Sequence, residues 1–185
     1  MDSISVYLES LPQKIIKHKK NLPTLTTSEE SSQPSAFFDG AAQKGQCGCG
    51  FYIKINESTH FSSFWHGGHG SNNMAEAIAL TGLLKFCIFL DIQQVAIFGD
   101  SKILVDSVNR RNHIVAPHLT GWRDRINYYR DRMVGSTIEH ISRVKNNTAD
   151  TLSKMGLLSS PGLWFLEIFS EGVTFQIQDF ALPDF

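Results

Sequence analysis

The sequence has no CxxC pair, no long uninterrupted apolar run and almost no net charge. Its three cysteines, Cys47, Cys49 and Cys87, are an odd number, which argues against a disulfide framework and fits a reducing compartment. The C-G-C spacing of the first two is too tight for an ordinary zinc ribbon, so reduced, partly buried thiols are the better reading. The start, MDSISVYLESLPQKIIKHKKN, contains no apolar stretch of signal-peptide type. The most apolar helical candidate, around residues 77–90, is interrupted by Lys85 and is too short to span a bilayer. We therefore expect an intracellular protein of the nucleus or cytoplasm, not secreted and without a membrane partner. The sequons at Asn56 and Asn146 then carry no meaning. A formal net charge of −1 supplies no global basic field, so any contact with nucleic acid has to rest on local patches.

What is present is ordinary globular material, 42% hydrophobic and 19% charged over 185 residues, enough for one domain with extensions. Residues 1–34 stand apart. LPTLTTSEESSQPS is rich in Ser, Thr and Pro and reads as a flexible linker. The basic run KIIKHKK (14–20) before it reads as the solvated face of a short helix, with a nuclear-import or phosphate-contacting patch as the alternative. The expected domain covers residues 35–156. SAFFDGAA, GCGFYIKIN and THFSSFWHG read as three strands joined by short polar links, an antiparallel meander. The period then changes. Residues 72–91 carry apolar side chains nearly all round, as a helix packed on a sheet would. QVAIFGD is a continuous apolar run, the mark of a strand covered on both faces. Two more helices, SKILVDSVN and HLTGWRDRINYYRDRM, precede a strand at 136–144 and a last helix that Gly156 can close. The order βββαβααβα implies an α/β fold with a mixed five-stranded sheet, three strands antiparallel and two parallel, flanked by helices. Residues 157–185 form a C-terminal extension whose alternating segments around Glu171-Gly172 predict a hairpin.

Four acids fall where elements end or begin. Asp39 is read after the first strand, Glu76 in the first helix, Asp100 after the fourth strand, and Asp150 at the opening of the last helix. Each has a purely local explanation. Asp39-Gly40 is a turn dipeptide; Asn73 to Glu76 fits a capping box; Asp100-Ser101 can cap a helix; Asp150 suits the positive end of one. Their placement as a set argues for more. If strands one and four are parallel neighbours, Asp39 and Asp100 emerge side by side at the carboxyl edge, where such sheets place ligands. Glu76 and Asp150 start helices that can pack beside that edge. Crowded carboxylates repel unless a cation neutralises them, and oxygen-only ligands suit Mg²⁺, with Mn²⁺ as a substitute. Two such ions would clamp the attacking water and the leaving oxygen of a phosphodiester.

The stretches FFDGAA, SNNMAEAIAL, FGDSK and NNTAD resemble, in order and in the elements that carry them, the four motifs of ribonuclease H of the type 1 kind. The wording is most similar to the ribonuclease H domains of plant non-LTR retrotransposons and their stand-alone derivatives. The resemblance spans roughly residues 35–156. It implies a divalent-metal-dependent endonuclease that cuts the RNA strand of RNA–DNA hybrids with two Mg²⁺ ions, leaving 5′-phosphate and 3′-hydroxyl ends. It further implies that Asp39, Glu76, Asp100 and Asp150 are the metal-binding, catalytic acids. Ser71, Asn72 and Asn73 occupy the polar turn that contacts RNA, and amides and a hydroxyl are suitable partners for a 2′-OH.

Two departures matter. The loop before the last acid reads Ser142-Arg143-Val144-Lys145-Asn146-Asn147-Thr148 and has no histidine, where many relatives carry one. Arg143 matches an arginine-bearing branch; always charged, it cannot shuttle a proton and is suited to hold a phosphate. His140, inside a strand, reads as a hydrogen-bonded core residue. The basic insertion of some relatives is reduced, leaving Arg110, Arg111, Arg123 and Arg125 among Trp122, Tyr128 and Tyr129 either to track a backbone or to form a solvated helix face. His66 and His69 read as loop histidines. Two other readings stay open: a catalytically weak or inactive module of retroelement origin that binds nucleic acid or a protein partner, and a nuclease for another nucleic acid.

Overall fold

The computed structural model describes residues 33–110 and 117–178. The basic run at 14–20, Arg111 and most of the proposed N-terminal extension lie outside the described residues. Strands β1 (Ser35–Gln43), β2 (Gln46–Lys54) and β3 (Thr59–His69) form the expected antiparallel meander. Then come helix α1 (Asn72–Phe89), strand β4 (Ala96–Gly99), helices α2 (Lys102–Asn109) and α3 (Thr120–Arg130), strand β5 (Thr137–His140) and helix α4 (Asn147–Leu158). β4 runs parallel to β1, and β5 parallel to β4. The mixed α/β sheet is therefore as read from the sequence, but among the described residues it has seven strands, in the order β5-β4-β1-β2-β3-β6-β7. The two additional strands, β6 (Trp164–Ser170) and β7 (Val173–Ile177), are the C-terminal hairpin, turning at Glu171-Gly172 with both residues at positive φ. β6 pairs with β3, and Trp164 lies 4.0 Å between ring centroids from Trp65. That large aromatic contact extends the sheet past the point where the sequence motifs end.

The sequence reading of Asp39-Gly40 as a turn is overturned. β1 runs straight through both residues to Gln43, and the chain reverses at Lys44-Gly45, where both φ angles are positive (51° and 75°). A two-residue loop of that geometry matches the twist of its flanking strands. Gly40 has another job: a Cβ there would sit 2.1 Å from the backbone carbon of Ala75. Glycine lets α1 lie directly on β1.

The two faces of the sheet are covered differently. Phe51 of β2 points at Phe86 of α1, whereas its neighbour Gly50 faces Leu152 of α4. Successive strand residues point to opposite faces, so α1 and α4 sandwich the sheet. α1 is buried nearly all round because it meets the sheet on one side and α3 on another. α4 sits on glycines: Gly48 and Gly50 below it, and its own Gly156 against the Trp65 and Cys49 backbones. Gly156 therefore does not close the helix, which continues to Leu158. The cysteines are buried and unpaired; Cys47 and Cys49 donate to the carbonyls of Ser71 and Ala75, and burial pushes the Cys87 thiol up to about 12. These are inert core thiols. Among the described residues no helix is long and apolar enough to cross a membrane.

Gly40→Ala forces backbone apart where no side chain can yield. Urea denaturation is expected to show a loss of about 3 kcal/mol, the upper end of ordinary overpacking costs, whereas Gly121→Ala, with open space around its Cβ, is expected to show no loss.

Candidate active site

The site is made where β4 stops and β1 does not. The last register pair between them is Phe37 with Phe98, so Asp39 and Asp100 each lie two residues further on, beyond the ladder. There the Phe38 carbonyl would lack a strand partner. Asn146, 1% exposed, supplies it, donating Nδ2 at 2.9 Å. The β1 backbone can thus stay extended past its neighbour, with an acid at the open edge.

Asp39 and Glu76 are buried and Asp100 is half-buried, and a ligand oxygen from each lies within 4.8 Å of the others. Glu76 is brought there by α1, whose close seat on Gly40 sets its depth. One of its oxygens, Oε2, is buried without a hydrogen-bond partner. Burial, then repulsion from Asp39 and Asp100, pushes the Glu76 carboxyl well above the usual range, despite a hydrogen bond from the Gly40 backbone. Asp39 is raised to about 6: burial is the main cause, opposed by a hydrogen bond from Ser153 and reinforced by Asp100 and Asp150. An orphaned buried oxygen in a cluster of crowded acids is the environment a hard divalent cation relieves. The residues present fit such an ion.

Asp150 stands slightly apart. It lies in the first turn of α4, as expected, but its carboxylate takes a hydrogen bond from Arg143 at 3.0 Å and another from Lys154, one helical turn on. Burial alone would raise its pKa; the contacts with Lys154 and Arg143 outweigh that and lower it. The structure therefore brings three of the four acids together and shows the fourth ion-paired beside them, close enough to raise Asp39.

The polar turn divides by task. Ser71, not Asn73, is the N-cap of α1, accepting from Met74 N. Asn72 Oδ1 accepts from Ala42 N at 2.7 Å, which ties the turn to the end of β1. Asn73 is half-buried and Ser71 exposed. Arg143 has 75% of its side chain exposed and begins a short 3-10 turn, with Val144 beside it in solvent. His140 is not a core residue: it is exposed at the end of β5, level with Gly99, because β5 buries only Ile138. Of the arginines near α3, Arg125 lies over Trp122 and Arg132 over Tyr128, while Ile126 and Tyr129 are buried. His66 and His69 are not loop residues: both lie at the end of β3, where His66 Nδ1 accepts from Gly68 N and His69 meets Gln46 across the β2–β3 pair. Two residues of the site, Ser153 and Lys154, were not singled out from the sequence, and Asn146 was named only as a sequon and a loop position. The available signal was the period of α4, which sets Ser153 and Lys154 three and four residues after Asp150, on one face.

Comparison with known proteins bears on this arrangement. A family model described as reverse transcriptase-like matches residues 37–156. Among solved structures, RNase H1 of the halophilic archaeon Halobacterium salinarum NRC-1 is similar at 22% identity, with 69% of this chain and 98% of that chain covered and a TM-score of 0.64. LC11-RNase H1, solved in complex with an RNA/DNA hybrid, is 25% identical, covers 68% and 99%, and has a TM-score of 0.61. The foamy viral protease-reverse transcriptase, also with a hybrid, is 19% identical over 80% of this chain and 23% of that one, with a TM-score of 0.54. No protein of curated function matches the sequence. The fold is that of ribonuclease H, extended by the β6-β7 hairpin.

The raised Asp39 makes a signed prediction. Its folded pKa of about 6 exceeds the ordinary aspartate value of 3.8, so the metal-free protein loses stability as pH rises from about 4 to about 6. Asp39→Asn removes that loss and keeps an acceptor for Ser153. In EDTA at pH 8, urea denaturation is expected to find Asp39→Asn more stable than wild type by about 3 kcal/mol, with the difference nearly gone by pH 4.

Proposed function

This chain belongs to the reverse transcriptase-like family, and on that footing we propose that it is a divalent-metal-dependent nuclease that hydrolyses the RNA strand of RNA–DNA hybrids. The observation that carries the reading is the three-acid cluster with its orphaned Glu76 oxygen. The hybrids bound by LC11-RNase H1 and by the foamy viral enzyme support the choice of substrate.

Asp39, Glu76 and Asp100 would hold Mg²⁺, with Mn²⁺ as a substitute and two ions as the working number. When bound, such ions lower the pKa of an attacking water and offset charge on the phosphate. Asp150 is the fourth acid in this reading. Arg143 and Lys154 now neutralise it, and both are able to exchange its carboxylate for a phosphate of the substrate. Arg143 stays charged at any working pH, so it holds a phosphate and moves no proton. Ser71, Asn72 and Asn73 are the polar groups that could meet a 2′-OH; Asn72 Oδ1 already accepts from Ala42 N, which leaves its amide Nδ2 to donate. Hydrolysis would leave 5′-phosphate and 3′-hydroxyl ends. The second reading, a binding module of weak turnover, is favoured by one observation: the fourth acid is ion-paired outside the cluster.

A labelled RNA–DNA hybrid, an RNA duplex and a DNA duplex, each incubated with Mg²⁺, Mn²⁺ or Ca²⁺, separate these readings. The hybrid's RNA strand is expected to be cut in Mg²⁺, with Asp39→Asn or Asp100→Asn slowing the reaction by at least ~100-fold. Binding without cleavage under every metal would favour the weak module instead. Arg143→Ala is expected to raise KM about 5- to 10-fold, as loss of one charge-assisted phosphate contact would.

A further inference from the structure

Resting on the metal-dependent reading above, we propose that Ser153 is a positioning residue for the acidic cluster, and that two glycines of β2 serve to bring it within reach. Ser153 is fully buried and donates its hydroxyl to Asp39 Oδ2. Nothing so short would span a normal helix-to-sheet gap of about 10 Å between axes. It does so here because α4 rests on bare backbone. A Cβ on Gly50, the cross-strand partner of Asp39, would lie 2.6 Å from Ser153 N. One on Gly48 would lie 2.1 Å from Ser153 O. Both contacts come from β2 and hold the Ser153 backbone close against the strand, so that its hydroxyl restrains the Asp39 carboxylate.

The same hydroxyl lies 2.9 Å from the Asp150 carbonyl oxygen. It has one proton and two acceptors, so a single atom links the turn that carries Asp150 to the strand that carries Asp39. A carboxylate free to rotate would have to be frozen when a cation binds; one already held avoids that cost. Ser153 touches neither substrate nor ion in this account and acts only through Asp39.

The test is Mn²⁺ binding by the full chain without nucleic acid, followed by calorimetry and by electron paramagnetic resonance. Ser153→Ala is expected to weaken Mn²⁺ binding about 5- to 10-fold, as loss of an outer-sphere partner does. With hybrid as substrate, kcat is expected to fall at limiting Mn²⁺ and recover at saturating Mn²⁺, while KM for the hybrid stays unchanged. A merely structural role would lower the urea midpoint in EDTA but leave the Mn²⁺ affinity of the folded protein unchanged. Should Ser153→Ala fail to fold, Ser153→Cys, close in size and a weaker donor, carries the same comparison. Variants that bind Mn²⁺ within twofold of wild type overturn the role of Ser153 alone. A wild-type chain that binds no Mn²⁺ overturns the metal-dependent function, and this proposal with it.

Discussion

Like charges held together in a poor solvent for charge are the constraint around which this molecule is built. Asp39, Glu76 and Asp100 offer oxygens within 4.8 Å of one another, two of them from buried side chains. In the metal-free state that proximity can only destabilise the fold. The surrounding structure supplies what holds them there: the glycine contact that seats α1 on β1, the Asn146 amide that completes the β1 backbone, and the Ser153 hydroxyl on Asp39. Each is a short-range contact of backbone or buried polar atoms, and each acts at the point where β4 stops. Strain of this kind, retained at one edge of an otherwise consistent fold, is characteristic of sites that await a ligand.

The two faces of the sheet share the work unequally. α1, buried nearly all round, supplies apolar packing through residues such as Leu80, Leu83 and Phe86, and carries Glu76 as a passenger. α4 buries far less and carries more chemistry: Asp150 in its first turn, then Ser153 and Lys154. Its seat on Gly48 and Gly50 converts a helix that could slide into one with a fixed register against the strands. The exposed Arg143 and the paired Lys154 place positive charge at the rim while the acids occupy the interior. That ordering suits a polyanion approaching a cation held at the bottom of the site.

Much of this was legible in the amino-acid order because the relevant signals are local. The change from alternating to helical periodicity near residue 72, the apolar run of β4 and the Glu171-Gly172 turn all lie within a few residues of what they predict. Of the four acids read as a set, Asp39, Glu76 and Asp100 do come together, although Asp39 lies inside β1 rather than after it and Asp150 is ion-paired beside them. What was misread depended on contacts between distant segments. Asp-Gly is a turn dipeptide in isolation, and only α1 lying against Gly40 makes it a strand. Gly156 looked like a helix terminus, and only the backbones of β2 and β3 explain a glycine inside the helix. The tie from Asn72 Oδ1 to the end of β1, a contact between distant segments, was not visible either. His140 looked internal because its strand was drawn too long. The hairpin was read correctly, but its attachment to β3 rests on Trp65 and Trp164, 99 residues apart in the chain.

The central claim is that this edge is an acid cluster waiting for a cation. The most direct measurement is a carbon-13 NMR titration of the side-chain carboxyls of Glu76 and Asp39, in EDTA and again with saturating Mg²⁺. The account predicts that without metal Glu76 titrates well above an ordinary glutamate and Asp39 near 6, and that Mg²⁺ brings both down to or below the ordinary carboxylate range. Titration of both at ordinary values without metal, or indifference of both to Mg²⁺, would contradict it.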